Sequence, residues 1–238
     1  TRRWRPEPQC EPDLWRESAA MKEPPVGTAP LIESGHPGAT PAPIISARDL
    51  VRVFGSGEAA VTAVDRVTLD IFPGEFLAVV GRSGSGKTTL LNLLSGLDRL
   101  AGGQVFFQGN DLATLPEARL VELRRRKIGF VFQSFGLMPL LSALENVELP
   151  LHIGGVSWRE RRKQALKALE LVGLGPRARH RPYELSGGEQ QRASIARALV
   201  AAPDVVFADE PTGELDTTTA GIISTILRDI VVQRGTTV

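Results

Sequence analysis

The stretch FLAVVGRSGSGKTTLLNLL, Phe76–Leu94, decides the fold class. Phe76 to Val80 is a continuous apolar run, the pattern of a strand buried on both faces of a parallel sheet. Lys87 to Ser95 reads as a helix. Between them Gly81-Arg82-Ser83-Gly84-Ser85-Gly86-Lys87-Thr88 fits G-x-x-x-x-G-K-[ST], in the strand, loop and helix setting where that pattern has a mechanism. The glycines let the backbone curl until several N–H groups point inward, and the helix N-terminus adds partial positive charge. Lys87 then offers a cation to the β- and γ-phosphates, and the Thr88 hydroxyl is turned to Mg²⁺. Gly81, Ser83, Gly84, Ser85, Gly86, Lys87, Thr88 and Thr89 are the expected nucleotide-binding set.

A second apolar run, Val205-Val206-Phe207-Ala208, ends in Asp209-Glu210. Ligands of open α/β sheets bind outside the carboxyl ends of the strands, so these carboxylates belong at the edge the phosphate loop leaves. Asp209 is expected to orient Mg²⁺ through its water shell, and Glu210, directed differently one residue on, to polarise an attacking water as general base.

Around these motifs, Ile44 to Phe54 and Val61 to Phe72 are β-branched and partly alternating across Gly55-Ser56-Gly57, the mark of an antiparallel hairpin. Gln104 to Phe107 and Ile128 to Phe132 read as further strands. Trp158 to Val172 forms a helix with Ala165, Leu166, Leu169 and Val172 on one face and Gly173 as its stop. Ile222, Ile223, Ile226, Leu227, Ile230 and Val231 stripe a last helix before Gly235. Strands alternating with helices give an α/β layer fold with an inserted helical region at roughly 135–181. Nine of the 17 prolines lie in residues 1–43 without apolar periodicity, so that segment is expected to be a disordered tail.

Composition narrows the function. Lysine plus arginine is 28 against 27 for aspartate plus glutamate, so no global field attracts nucleic acid or anionic lipid. Arg124 to Lys127 and Arg159 to Lys163 are basic clusters without interleaved aromatics, and read as solvated faces. The single cysteine, Cys10, excludes an intramolecular disulfide and suits a reducing compartment. No stretch approaches the roughly 20 apolar residues of a membrane helix, so service to a membrane is expected to pass through a partner.

Leu185-Ser186-Gly187-Gly188-Glu189-Gln190-Gln191-Arg192 has S-x-x-E spacing, which a helix capping box explains by itself. Lying between the phosphate loop and the acidic strand, however, the string resembles the LSGGQ signature of ABC-transporter ATPases. The resemblance covers about Ile44 to Val238. It implies a P-loop NTPase core with a mostly parallel sheet, an N-terminal antiparallel β subdomain and an inserted helical subdomain. It also implies ATP and Mg²⁺ as ligands and a head-to-tail homodimer, in which Ser186, Gly187, Gly188 and Glu189 of one copy meet the ATP of the other. Gln133 matches the family's Q-loop glutamine, which meets Mg²⁺ and the attacking water, and Asp216 matches the D-loop. Phe54 stands about where the family stacks an aromatic on adenine; a strand-end core residue is the alternative.

Gly96 to Arg99, Arg124 to Gln133, Leu144 to Leu151 and Ala208 to Asp216 are similar to the branch serving lipoprotein release, macrolide export and cell division. That implies an ATPase on the cytoplasmic face of a bacterial inner membrane, bound to a permease and to no specific nucleic acid. The family's switch histidine belongs at the end of the strand that Gly235 to Val238 begins, and His36, His152 and His180 all precede the acidic motif. The chain as given is therefore expected to bind ATP and to hydrolyse it slowly, since one preorganised group is commonly worth about 10²–10³-fold in rate. Two other classes compete. One is a soluble ABC-type ATPase acting on nucleic acid or ribosomes, against which stand the lack of a sustained heptad run between Lys87 and Ser186 and the single ATPase unit. The other is a nucleotide-binding module that does not turn over.

Overall fold

The computed structural model describes residues 42–238, apart from the side chain of Glu58; the expectation for the tail falls on residues that, up to 41, lie outside this range. The alternating residues near the N-terminal side become β1 (Ile45–Phe54) and β2 (Val61–Ile71), antiparallel from Ile45 opposite Ile71 to Phe54 opposite Val61. β3 (Gly102–Phe107) pairs with the other edge of β1, and the short β4 (Asn110–Asp111) lies beyond it. This sheet buries Ile45, Ala47, Leu50, Val105 and Phe107 against Leu93 and Leu94 of helix α1 (Lys87–Leu94).

The second sheet is a parallel pair. After helix α2 (Glu117–Lys127), β5 (Ile128–Val131) runs beside β6 (Val205–Ala208), with Ile128 opposite Val205 and Val131 opposite Ala208. The C-terminal residues extend the ladder: Val206 N–H donates to Thr237 O at 2.8 Å and Val238 N–H to Glu75 O at 2.9 Å, while Leu77 N–H donates to Val238 O at 2.8 Å. The hydrogen bonding thus passes from β5 through β6 and Thr237–Val238 to Glu75–Leu77.

One expectation needs correction here. Phe76 to Val80 is not a strand buried on both faces: the segment is irregular, and Val80 is 92% exposed. Its ladder bonds among the described residues are those of Glu75 and Leu77 with Val238, and beyond Leu77 the backbone makes none. A strand depends on its partners as much as on its own residues.

The helical region contains α3 (Ala143–Ile153) and α4 (Trp158–Leu171), followed by α5 (Gly187–Leu199) and, after β6, α6 (Thr217–Arg234). Ala165 and Leu169 of α4, Val147 of α3 and Ala193, Ile195 and Ala196 of α5 are buried in a common core with Ile223, Leu227 and Ile230 of α6. Capping boxes open α3 at Ser142 and Glu145 and α5 at Ser186 and Glu189. The basic cluster ending α2 is not simply solvated. Arg124 pairs with Glu117, Arg125 and Arg126 with Glu122, and Lys127 with Asp204 beside β6.

Gly129 explains how α5 reaches the sheet. A Cβ at Gly129 would lie 2.5 Å from the Ala198 carbonyl oxygen, so the end of α5 packs directly on the β5 backbone. Gly129→Ala is expected to lower stability by about 1–3 kcal/mol, the usual cost of overpacking. Urea unfolding checks this; an unchanged midpoint would mean that α5 is not held by that contact.

Candidate functional site

The phosphate loop lies in open solvent on one side and against β2 on the other. Gly86 takes φ +88, and a Cβ there would overlap the Ala63 carbonyl oxygen, so the loop crosses the sheet edge where only glycine fits. Phe54 pairs with Val61, two residues from Ala63, which sets it at the same end of the sheet. Its ring is 44% exposed and carries the Arg52 guanidinium 4.5 Å from its centroid.

Lys87 folds back into the loop. Its Nζ donates to the carbonyls of Gly81 and Arg82 at 3.1 Å each and lies 3.3 Å from Glu210 Oε1. The phosphate loop and the acidic strand end are therefore joined by an ion pair. With the Lys87 side chain 17% exposed and that of Glu210 40% exposed, such a pair is worth at most about 1 kcal/mol. Charge-assisted hydrogen bonds to phosphate, at about 1.5–3 kcal/mol each, outweigh it. Lys87 is thus held in place but free to exchange its carboxylate for a phosphate.

Parallel pairing delivers the remaining groups. Asp209 N–H donates to Val131 O at 2.9 Å, which aligns the ends of β5 and β6 and places Gln133 beside Asp209 and Glu210. A Cβ at Gly213 would stand 3.5 Å from Glu210 Oε2 and 3.6 Å from Gln133 Nε2, so the two side chains converge over that glycine. Gln133 is exposed, as a ligand-facing amide must be, and is not a buried strand-end glutamine. Glu210 has a left-handed backbone, φ +45, which turns its carboxylate toward the loop.

The donor set suits ATP with magnesium. The Thr88 hydroxyl, the Asp209 carboxylate and the Gln133 amide are few, hard oxygen donors, the complement expected for Mg²⁺, which keeps several waters and shares phosphates with its substrate. At Gly84 the loop leaves open space where a side chain would stand, so phosphate can approach its backbone there.

The signature opens α5. Ser186 caps α5: its hydroxyl accepts from Glu189 N–H at 3.3 Å, and Ser186 N–H donates to Glu189 Oε2 at 2.8 Å. Gly187 faces the Leu215 side chain and Gly188 that of Thr219, so the start of α5 is lodged against the start of α6. Asp216 caps α6 by accepting from Thr218 N–H at 3.0 Å and Thr219 N–H at 3.1 Å, and the Thr219 hydroxyl holds its carboxyl below the usual range. No described residue makes a polar contact between the signature and Lys87, Gln133 or Glu210.

The family model for the ABC transporter matches residues 64–213. The chain belongs to the ABC transporter family. Among its relatives, an ABC transporter ATP-binding protein of Thermotoga maritima is 49% identical over 182 residues, 76% of this chain and 78% of that one. The lipoprotein-releasing system ATP-binding protein LolD of Chromohalobacter salexigens is 49% identical over 80% of both chains. The macrolide export ATP-binding/permease protein MacB of Marinobacter nauticus is 47% identical over 80% of this chain, which spans only 30% of that longer protein. Among solved structures, a dimeric post-hydrolysis state of the ATP-binding cassette MJ0796 with ADP and Pi aligns at TM-score 0.75. It is 43% identical over 81% of this chain and 85% of that one. As an ABC transporter ATPase, this chain binds and hydrolyses ATP.

Sequence reasoning passed over Gln191, Arg197 and Phe135, which the structure places around the same groups. A polar residue on the apolar stripe of α5, Gln191 in line with Ile195 and Ala198, was the available signal.

Two outcomes follow from this geometry. Lys87→Ala is expected to abolish ATP binding in calorimetry while leaving the thermal midpoint within a few degrees, because the lost contacts are loop carbonyls and a weak ion pair; unchanged affinity would remove Lys87 from the site. The Glu189 carboxyl is held below its ordinary value, chiefly by the Ser186 backbone N–H. Its contribution to stability is therefore complete above the ordinary carboxylate range and is lost as pH falls through the lowered value. Glu189→Gln should flatten the fall in urea midpoint between about pH 5 and 3, and an unaltered slope would rule the cap out as its source.

Proposed function

We propose that two copies of this chain close head to tail around ATP and drive a membrane permease. The observation that carries this reading is the convergence of Lys87, Glu210 and Gln133 at one sheet edge, with no polar contact among the described residues from the signature of the same copy to any of the three. A site with its phosphate loop and its base but no such contact from its own signature is completed by a second copy. Ser186, Gly187, Gly188 and Glu189 of one protomer then face the triphosphate held by Gly81, Ser83, Gly84, Ser85, Gly86, Lys87, Thr88 and Thr89 of its partner.

Within each site Thr88, Asp209 and Gln133 would hold Mg²⁺, which neutralises charge on the phosphates. Lys87 leaves Glu210 for the phosphate oxygens, and the freed carboxylate accepts a proton from the attacking water. Phe54 offers its ring to the adenine from the sheet end beside the loop. Asp216 orders the start of α6 under the signature. Residues at roughly 135–181 form the helical subdomain, and closure and opening of the pair are passed from there to the permease.

Exposed apolar side chains support that docking: Met138, Leu140, Ile153 and Trp158 stand in solvent around α3 and the start of α4. Among the described residues no helix is long and apolar enough to cross a membrane. Similarity to LolD and MacB favours lipoprotein release or export, with the pair at the cytoplasmic face of a bacterial inner membrane.

Glu210→Gln is expected to convert the chain to a stable dimer in ATP and magnesium, with turnover down by about 10²-fold or more. Light scattering after gel filtration reads the outcome, and a variant that stays monomeric under saturating ATP would overturn the head-to-tail scheme.

A further inference from the structure

Helix α5 starts at the signature and runs beneath both loops that reach the phosphates. Gln191 lies in its second turn, wholly buried. Its Nε2 donates to the Pro211 carbonyl at 2.7 Å, and its Oε1 has no partner among the described residues. A buried amide with an orphaned acceptor is a poor choice for stability alone, and methionine would fill the same space without that penalty. The one bond it does make fixes the carbonyl immediately after Glu210, whose φ of +45 persists in a non-glycine residue only where its surroundings hold it.

Six residues on, Arg197 repeats the arrangement for the other loop. Its guanidinium donates to the Phe135 carbonyl at 3.0 Å and to the Gly136 carbonyl, and burial without a carboxylate partner lowers its pKa. Phe135 and Gly136 both sit at φ +59, two and three residues after Gln133. The Phe135 ring closes the contact at the other end of the helix, where a Cβ at Gly187 would lie 3.7 Å from its Cζ.

We propose that Gln191 and Arg197 are positioning residues for hydrolysis: from one helix they hold the two strained loops that carry Glu210 and Gln133. Any shift of α5 against the partner's nucleotide is then passed to the protomer's own base and glutamine. The proposal rests on the roles given above to those two residues.

The test sets activity against stability. Gln191→Met is expected to keep or raise the thermal midpoint and to keep the ATP dissociation constant within about twofold, while kcat falls at least about tenfold. In Arg197→Met, amide hydrogen exchange at residues 133–137 is expected to rise at least about tenfold, with Ile195 and Ala196 unchanged. The proposal is overturned if Gln191→Met retains the parent kcat, or loses midpoint, affinity and kcat together as a packing residue would. Exchange in Arg197→Met that is unaltered, or that rises through β5 and α5 alike, overturns it equally. Gln133→Ala and Glu210→Gln are measured beside these variants. Parent-like turnover in them refutes the roles of Gln133 and Glu210, whereas the exchange pattern at 133–137 reports on the brace regardless.

Discussion

The parallel register of β5 and β6, from Ile128 opposite Val205 to Val131 opposite Ala208, is the constraint on which the site depends. Parallel strands end on the same side, so both emerging loops are delivered to one edge without either having to search for the other. Asp209 N–H on Val131 O is the last rung, and directly past it the chain releases Glu210 on one strand and Gln133 on the other. An antiparallel pairing of the same two segments would place these side chains at opposite ends. The four-stranded antiparallel sheet sets the remaining boundary, because Ala63 of β2 presses on the phosphate loop at Gly86.

Within that frame the energetics favour exchange over permanence. Lys87 is occupied by two carbonyls and a half-exposed carboxylate, contacts strong enough to orient it and weak enough to yield to phosphate. The loops are held more firmly than the lysine. Left-handed backbone at Phe135 and Glu210 is stored strain of about 1–3 kcal/mol per residue, and in each loop a carbonyl at or next to the strained residue accepts from a side chain of α5. The firmer contacts are thus in the loops that carry Glu210 and Gln133, and the weaker ones at Lys87.

How much of this was legible in the sequence depended on how local each signal was. The phosphate loop, the Asp209-Glu210 strand end and the Ser186 cap are short patterns whose meaning is carried by adjacent residues, and all three fall where their spacing placed them. The helix at Trp158 and the stripe on α6 were equally local, though Ile222 of that stripe turns out to be exposed. Phe76 to Val80 departs from the expected strand because strand identity there is set by neighbours far along the chain, and among the described residues its one backbone bond to such a neighbour is Leu77 N–H to Val238 O. In the basic run ending α2 the pairs of Arg125 and Arg126 with Glu122 are local to the helix, whereas the pairing of Lys127 with Asp204 depends on a residue far along the chain. The acceptors of Gln191 and Arg197 are carbonyls of Pro211, Phe135 and Gly136, which no side-chain pattern marks; only the polar place of Gln191 on the apolar stripe of α5 hints at its role.

The central claim is that one copy supplies half of each site. A crystal structure of the Glu210→Gln chain with ATP and magnesium tests it most directly. The account predicts two copies related by a two-fold axis, each triphosphate lying between Lys87 of one and Ser186 of the other, with Lys87 Nζ on phosphate oxygens. A triphosphate held by a single copy, with Ser186 and Gly188 facing solvent, would contradict it.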